Sequence, residues 1–310
     1  MKQIKHLVSV SGGKDSTATL LLALKQFPEN TFAVFADTGN EHEATLEYLE
    51  YLEYLEHRLG IRIERIKADF SDRFAHKRDF VLTKWPEKGV PMARCERAAQ
   101  LLHPSGNPYL DLCMLKGRFP SRLAQFCTSE LKTLPLTELA LWFVDFFDAD
   151  VWSWQGVRRD ESSRRSNALG LEDLTGGLFA WRPIAGWTAQ ETVDFVRSCG
   201  VDLNPLYRQG MGRVGCMPCI NASKAELAEI ARRFPQHIER ISEWESIVVE
   251  VSRGGAASFF PSPNDGRGDL RGRDVVSYVQ WAKTLRGGKL TNPIYDEPAP
   301  QCASSYGLCE

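Results

Sequence analysis

The feature that most narrows the fold lies at the start of the chain. An apolar run, Ile4 to Val10, passes directly into Ser11-Gly12-Gly13-Lys14-Asp15-Ser16 and then into a second apolar run, Thr17 to Leu24. The first run is short and rich in branched residues, as a buried strand is, and the second reads as a helix packed on it. The pattern then repeats. Thr31 to Ala36 (TFAVFA) is a strand that stops at Asp37-Thr38-Gly39, EATLEYLEYLEYLEHRLG follows, and IRIERI alternates as a third strand. Leu46, Leu49 and Leu52 make the middle segment an amphipathic helix closed by Gly60. Strand, helix, strand, helix, strand at this pitch implies right-handed crossovers and a parallel sheet. A helix over 136–147, a strand over 151–154 and a helix over 188–199 extend it, the last with Thr188 and Glu191 in capping-box spacing. The expected fold class is α/β: a doubly wound, mostly parallel, Rossmann-like sheet.

Residues 70–125 break the rhythm. They carry Pro86, Pro91, Pro104 and Pro108 and a basic run, Lys116-Gly117-Arg118 with Arg122, and read as an insertion covering the sheet. The expected organisation is a nucleotide-binding domain over 1–220 holding that insertion, then a helical C-terminal extension over 221–310 with a cysteine-bearing tail. The 310 residues carry a net charge of -2, so any contact with a polyanion must come from local patches. No apolar run reaches the roughly 18 residues of a membrane span, and the opening run lacks a signal-peptide layout. The expectation is a cytoplasmic protein without membrane contact, in which eight cysteines serve metal or redox chemistry rather than disulfides.

The glycine turn has a chemical reading. Gly12 and Gly13 let the backbone approach a ligand closely, and their N–H groups, with those opening the next helix, form an anion nest. Lys14 adds a point charge, and Ser11 and Ser16 add hydroxyl donors. The spacing is not that of the Walker A loop. SGGKDS after a first strand resembles the PP-loop of the adenine nucleotide α-hydrolase superfamily, which grips pyrophosphate while the α-phosphorus is attacked. In that superfamily the loop after the second strand meets adenine or ribose, which here points to Asp37, Thr38 and Gly39.

Two later segments resemble the PAPS reductase family of that superfamily: FCTSELKTLPL at 126–136 and GVRRDESSRR at 156–165, with NPLY at 204–207 between them and the next glycines. The family holds reductases of PAPS or APS and ATP pyrophosphatases, DNA phosphorothioation enzymes and tRNA thiolases among the latter. A complete SGGKDS favours the ATP-using branch, because only a nucleotide with a β,γ-pyrophosphate needs the full cradle. The resemblance implies an ATP pyrophosphatase that adenylates an acceptor for sulfur transfer, with nucleic-acid phosphate the preferred acceptor. Catalysis is expected of Lys14, Asp15, Lys132, Arg158 and Arg164. Asp15 assists Mg²⁺, Lys132 faces the α-phosphate, and Arg158 and Arg164 hold the acceptor or its phosphate. Arg159 and Arg165 read more readily as solvated. ATP is expected on Ser11, Gly12, Gly13, Lys14, Asp15 and Ser16.

Cys216 and Cys219 in GRVGCMPC suit a metal or a redox pair. With Cys127 and the tail residue Cys309, or Cys302 in its place, they suit a [4Fe–4S] cluster or Zn²⁺, and the resemblance tips this toward iron–sulfur. Cys309 also suits a sulfur carrier. Expected partners are a cysteine desulfurase or other sulfur donor and a DNA or tRNA acceptor within a complex. A PAPS or APS reductase served by thioredoxin is the competing reading, and an ATP-binding scaffold without turnover is the third.

Overall fold

The structure, a computed structural model, describes residues 2–55, 61–163, 165–260 and 274–284. In chain order its elements are β1 (Ile4–Val10), α1 (Lys14–Gln26), β2 (Thr31–Ala36), α2 (Glu43–Tyr54), β3 (Ile63–Ile66), α3 (Ser71–Lys84), α4 (Met92–Leu101), α5 (Pro108–Lys116), α6 (Leu134–Phe147), β4 (Asp150–Trp154), β5 (Leu171–Asp173), β6 (Leu178–Trp181), α7 (Ala189–Ser198), α8 (Lys224–Arg233), α9 (Pro235–Glu250) and α10 (Val275–Ala282). Contacts divide the chain into two compact units. Among the described residues, one comprises those up to Ala68 with Thr128–Cys216, and the other comprises Asp69–Cys127 with those from Met217 to Thr284.

The first unit is a six-stranded sheet in the order β3-β2-β1-β4-β6-β5. Every pairing is parallel except β5 with β6. β1 lies at the centre and is buried on both faces from Lys5 to Val10, which explains why its apolar residues Leu7, Val8 and Val10 do not simply alternate. Val8 and Val10 join Leu20, Leu49, Leu52 and Val196, the residues α1, α2 and α7 bury on one face. Leu7 joins Val34, Val151, Leu136 and Ala140 on the face that α6 covers. His6 is also buried. Its Nδ1 accepts from Trp154 Nε1 at 2.9 Å, and its ring stacks on Phe27 at 4.0 Å. The chain runs β1 to β2 to β3 in one direction, then crosses to β4 on the other side of β1. In open α/β sheets the ligand crevice lies outside the carboxyl ends of the strands at such a reversal.

The second unit draws the domain division differently from the sequence reading. The insertion and the C-terminal helices belong to one unit, rather than being separate attachments to a 1–220 domain. The insertion is also helical. Its prolines read as interruptions, but Pro108 is the first residue of α5 and Pro91 precedes α4, positions where a missing N–H costs nothing. Asn107 caps α5 by accepting from the N–H groups of Tyr109 and Leu110. Tyr109 stacks on Trp244 of α9 with centroids 5.6 Å apart. The buried Glu245 accepts from Phe259 N, Val275 N and Ser258 Oγ at 2.7, 2.8 and 3.1 Å, fastening the start of α10 to α9.

The β5–β6 hairpin escaped the sequence reading because each strand spans only three or four residues. Among the described residues no helix is long and apolar enough to cross a membrane. Residues 56–60, where Gly60 was expected to end a helix, lie outside the described residues.

Candidate nucleotide site

The site is built where β1 and β4 end, at the reversal of strand order. Gly12 takes φ of 80°, a left-handed conformation that favours glycine. A Cβ there would lie 2.8 Å from Thr45 Cγ2. Gly13 is the N-cap of α1 and provides no capping side chain, so the positive dipole end of the helix faces the loop, while Gly13 N donates to Ser11 Oγ at 3.4 Å. The loop is held from within and from afar. Ser16 Oγ accepts from Ser11 N at 3.0 Å and donates to Gly13 O at 3.1 Å. Asn204 Nδ2 donates to Gly12 O at 3.2 Å, and Lys14 N donates to the Tyr207 hydroxyl at 3.1 Å. The NPLY segment thus braces the turn, a role its sequence alone did not reveal.

Asp15 is fully buried and gathers two cations. Its Oδ1 accepts from Arg158 Nε at 2.8 Å and its Oδ2 pairs with Lys14 Nζ at 3.1 Å. Each oxygen of Asp15 therefore faces a cationic side chain. Burial opposes the Arg158 charge, but Asp15, together with Asp160 and Glu161, offsets it and holds the guanidinium above its ordinary pKa. Arg158 also pairs with Asp160. Gly156 permits this geometry. A Cβ at that position would sit 2.9 Å from Asp15 C and Ser16 N, so only glycine lets the β4 loop lie against the first turn of α1.

The arginines divide differently from the sequence reading. Arg165 is 7% exposed and pairs with Glu161, one helical turn back. The spacing Gly156, Arg158, Glu161, Ser162, Arg165 also puts the last arginine of the family segment at Arg165, not Arg164. Arg164 lies outside the described residues. Burial pushes the Glu161 carboxyl up, Arg165 pulls it back, and Asp15 pushes it up again. Lys132 is buried on the π-helical turn Ser129–Thr133 that leads into α6.

The β2 loop is organised by a residue the sequence did not mark. Glu41 accepts from Thr38 N and Asn40 N at 3.1 and 3.2 Å, and from Thr38 Oγ1 at 2.7 Å. Asp37 Oδ1 accepts from Gly39 N at 2.9 Å, and Asp37 pairs with Lys67. Cys216 Sγ lies 3.5 Å from Thr38 Oγ1 and 3.6 Å from Glu41 Oε1, and Glu41 and Cys216 form an antiparallel bridge. His42 is buried and caps α2, its Nδ1 accepting from Ala44 N at 2.9 Å.

The cysteines expected as cluster ligands fall in both units. Cys216 belongs to the first, Cys127 and Cys219 to the second, and Cys302 and Cys309 lie outside the described residues. In the second unit, burial and the neighbouring Cys127 push the Cys113 thiol well up, so the neighbour of Cys127 is a cysteine the sequence reading had set aside. That unit brings no three Cys, His, Asp or Glu ligand atoms together among the described residues. Neither unit by itself holds four cluster ligands among those residues, and no step below is routed through a cluster.

Comparison with known proteins places the chain. Residues 5–222 match the phosphoadenosine phosphosulfate reductase domain. An uncharacterized 37.8 kDa protein in the gpa 5' region of Escherichia phage 186 is 44% identical over 98% of this chain and 96% of its own length. The adenosine 5'-phosphosulfate reductase of Burkholderia cepacia is 34% identical over 76 residues, 24% of this chain and 30% of the enzyme, so the chain spans under a third of that relative. The crystal structure of phosphoadenylyl-sulfate reductase from Candida auris in its phosphate complex has 13% identity and a TM-score of 0.39, over 70% of this chain and 82% of that one. On a match that covers well over half its length, the chain belongs to the phosphoadenosine phosphosulfate reductase domain family.

Proposed function

We propose that this protein is a PP-loop ATP pyrophosphatase that adenylates an acceptor for sulfur transfer, with a nucleic-acid phosphate as the acceptor. One observation carries the reading. The complete Ser11–Ser16 loop opens the N-terminal turn of α1, with Lys14 and Arg158 gathered on one buried carboxylate. Such a cradle offers more anion-binding capacity than a nucleotide without β- and γ-phosphates requires. The residues of the β2 loop, Asp37 to Gly39, take the nucleoside.

In this reaction an acceptor oxygen attacks the α-phosphorus, the bond to the bridging oxygen of the β-phosphate breaks, and pyrophosphate leaves. Arg158 and Lys14 offset the charge that builds on the phosphoryl oxygens. The outer sulfur of a donor persulfide, such as one formed on a cysteine desulfurase, then attacks the adenylated phosphorus and AMP leaves, and a thiol reduces the resulting S–S link to free the phosphorothioate. Mg²⁺ enters with the phosphates of ATP. Asp15 acts by orienting the two cations, since both its oxygens are committed to them.

The local likeness to adenosine 5'-phosphosulfate reductases favours a second reading, a PAPS or APS reductase that releases sulfite with thioredoxin as reductant. One assay separates the two. Protein purified without oxygen is given ATP and Mg²⁺ and read for pyrophosphate and AMP, then given PAPS or APS with reduced thioredoxin and read for sulfite. The expected result is pyrophosphate, lost in Lys14→Ala. Sulfite without pyrophosphate establishes the reductase, and tight ATP binding with neither product establishes a scaffold.

A further inference from the structure

The second unit carries a basic surface that the nucleotide chemistry does not use. Its frame is the end of α5. Gly117 takes φ of 62° as the left-handed cap, and a Cβ there would lie 3.3 Å from Val251 O. Arg118 N donates to Cys113 O at 3.2 Å, closing the last turn. This fixes Lys116 and Arg118 on either side of the cap. Both cationic groups lie 5.7 Å from the Phe126 ring centroid. A ring face attracts each cation, offsetting part of their mutual repulsion. Asp111, on the same helix as Lys116, is committed to Ser105, whose N–H and Oγ–H donate to it at 2.7 and 2.6 Å.

The chain then makes a tight turn. Ser121 and Ala124 exchange backbone hydrogen bonds at 3.1 Å. Gln125 Nε2 donates to Arg122 O, and Arg122 Nη2 donates to Ala222 O at 3.2 Å. The turn holds Leu123 99% exposed at its tip. One exposed leucine is ordinary on a protein surface. A leucine fixed at the tip of a braced turn and flanked by cations is the arrangement of proteins that insert an apolar wedge between base steps while cations bind the flanking phosphates. The Phe126 ring is already covered by its two cations, so it does not offer the bare stacking platform that single-strand binders use.

We propose that this surface, comprising Lys116, Arg118, Arg122, Leu123 and Phe126, binds duplex DNA, the cations taking the phosphate backbone and Leu123 entering a groove. The proposal names the substrate class of the sulfur-transfer reading and rests on it for biological meaning, but the binding itself is testable alone. The probe is a fluorescein-labelled DNA duplex of about two helical turns. Its anisotropy is followed with the full chain over salt from about 50 to 200 mM. Wild type binds. Lys116→Glu/Arg118→Glu weakens binding by on the order of tenfold or more at low salt and makes the slope of log K against log salt shallower by about 2. The milder Lys116→Ala and Arg118→Ala each make it shallower by about 1. Leu123→Ala weakens binding and leaves the slope unchanged.

Lys14→Ala, which abolishes pyrophosphate release if the nucleotide reading is right, binds the duplex like wild type. ATP turnover without DNA is unaltered in the Lys116 and Arg118 variants. No duplex binding at the lowest salt, binding indifferent to the charge reversal, or a preference for single-stranded DNA or RNA overturns the proposal. Duplex binding without pyrophosphate release from ATP overturns the nucleotide reading instead.

Discussion

Replacing Gly156 by alanine tests whether the close approach of the β4 loop to α1 builds the site. The added Cβ would meet Asp15 C and Ser16 N at 2.9 Å and Asp15 O at 3.0 Å. Carbon contacts are optimal at about 3.5–4.0 Å, so loop and helix must part by about half an ångström. All three atoms are main chain and cannot rotate aside. Arg158 follows two residues later, so the displacement falls directly on its 2.8 Å bond to Asp15. Overpacking of this kind costs about 1–3 kcal/mol, a fall in melting temperature of roughly 2–5 °C for a chain of this size.

Gly186→Ala is the control. It lies at the surface in the segment leading to α7, and a Cβ there meets nothing within 4 Å. A glycine replaced at such a position stabilises by about 0.4–1 kcal/mol, by restricting the unfolded chain. The assay is calorimetric melting of both variants beside wild type, with pyrophosphate release measured on each. The expected result is a destabilised Gly156→Ala with reduced turnover and a Gly186→Ala at or slightly above wild type in both. Equal melting temperatures for the two variants refute the reasoning, because the contact would then be soft.

Asp15→Asn leaves the buried Arg158 charge with only the half-exposed Asp160 as partner, which costs about 1–3 kcal/mol; Asp15→Asn/Arg158→Met recovers part of that loss in urea unfolding, and equal losses in the two variants contradict the pairing. His6 gives the fold a pH dependence: burial lowers its pKa from 6.5 to about 4, so the folded state binds fewer protons than the unfolded one between those values. Its contribution is fully present above pH 6.5 and is lost as pH falls toward about 4, amounting to on the order of 1–3 kcal/mol. His6→Asn flattens the stability profile over that window, and a profile unchanged from wild type counts against the buried neutral imidazole.

The sequence by itself determined the sheet and the loop. A central parallel strand is buried on both faces, so IKHLVSV, TFAVFA and the helices between them were legible from their runs. Two glycines and a lysine after such a strand marked an anion nest. The capping boxes at Thr188 and Ser223 lie within four residues of chain, and local geometry of that kind is written locally. The insertion was misread because a proline that opens a helix and one that breaks a helix look alike until the helix is seen.

The tertiary structure decided the rest. Asp15 and Arg158 stand 143 residues apart, and Asn204 stands 192 from Gly12. The close packing at Gly156 brings the first pair together. The choice of Arg165 over Arg159 as the buried arginine follows from which way the backbone turns after β4, and no composition or period records that direction. Glu41 looked like one more acidic residue before a helix. It became the organiser of the nucleotide loop because the chain returns at Cys216 to form a bridge with it. Chain pairs this far apart are joined by packing, and packing sums over the whole core rather than over any segment of the sequence.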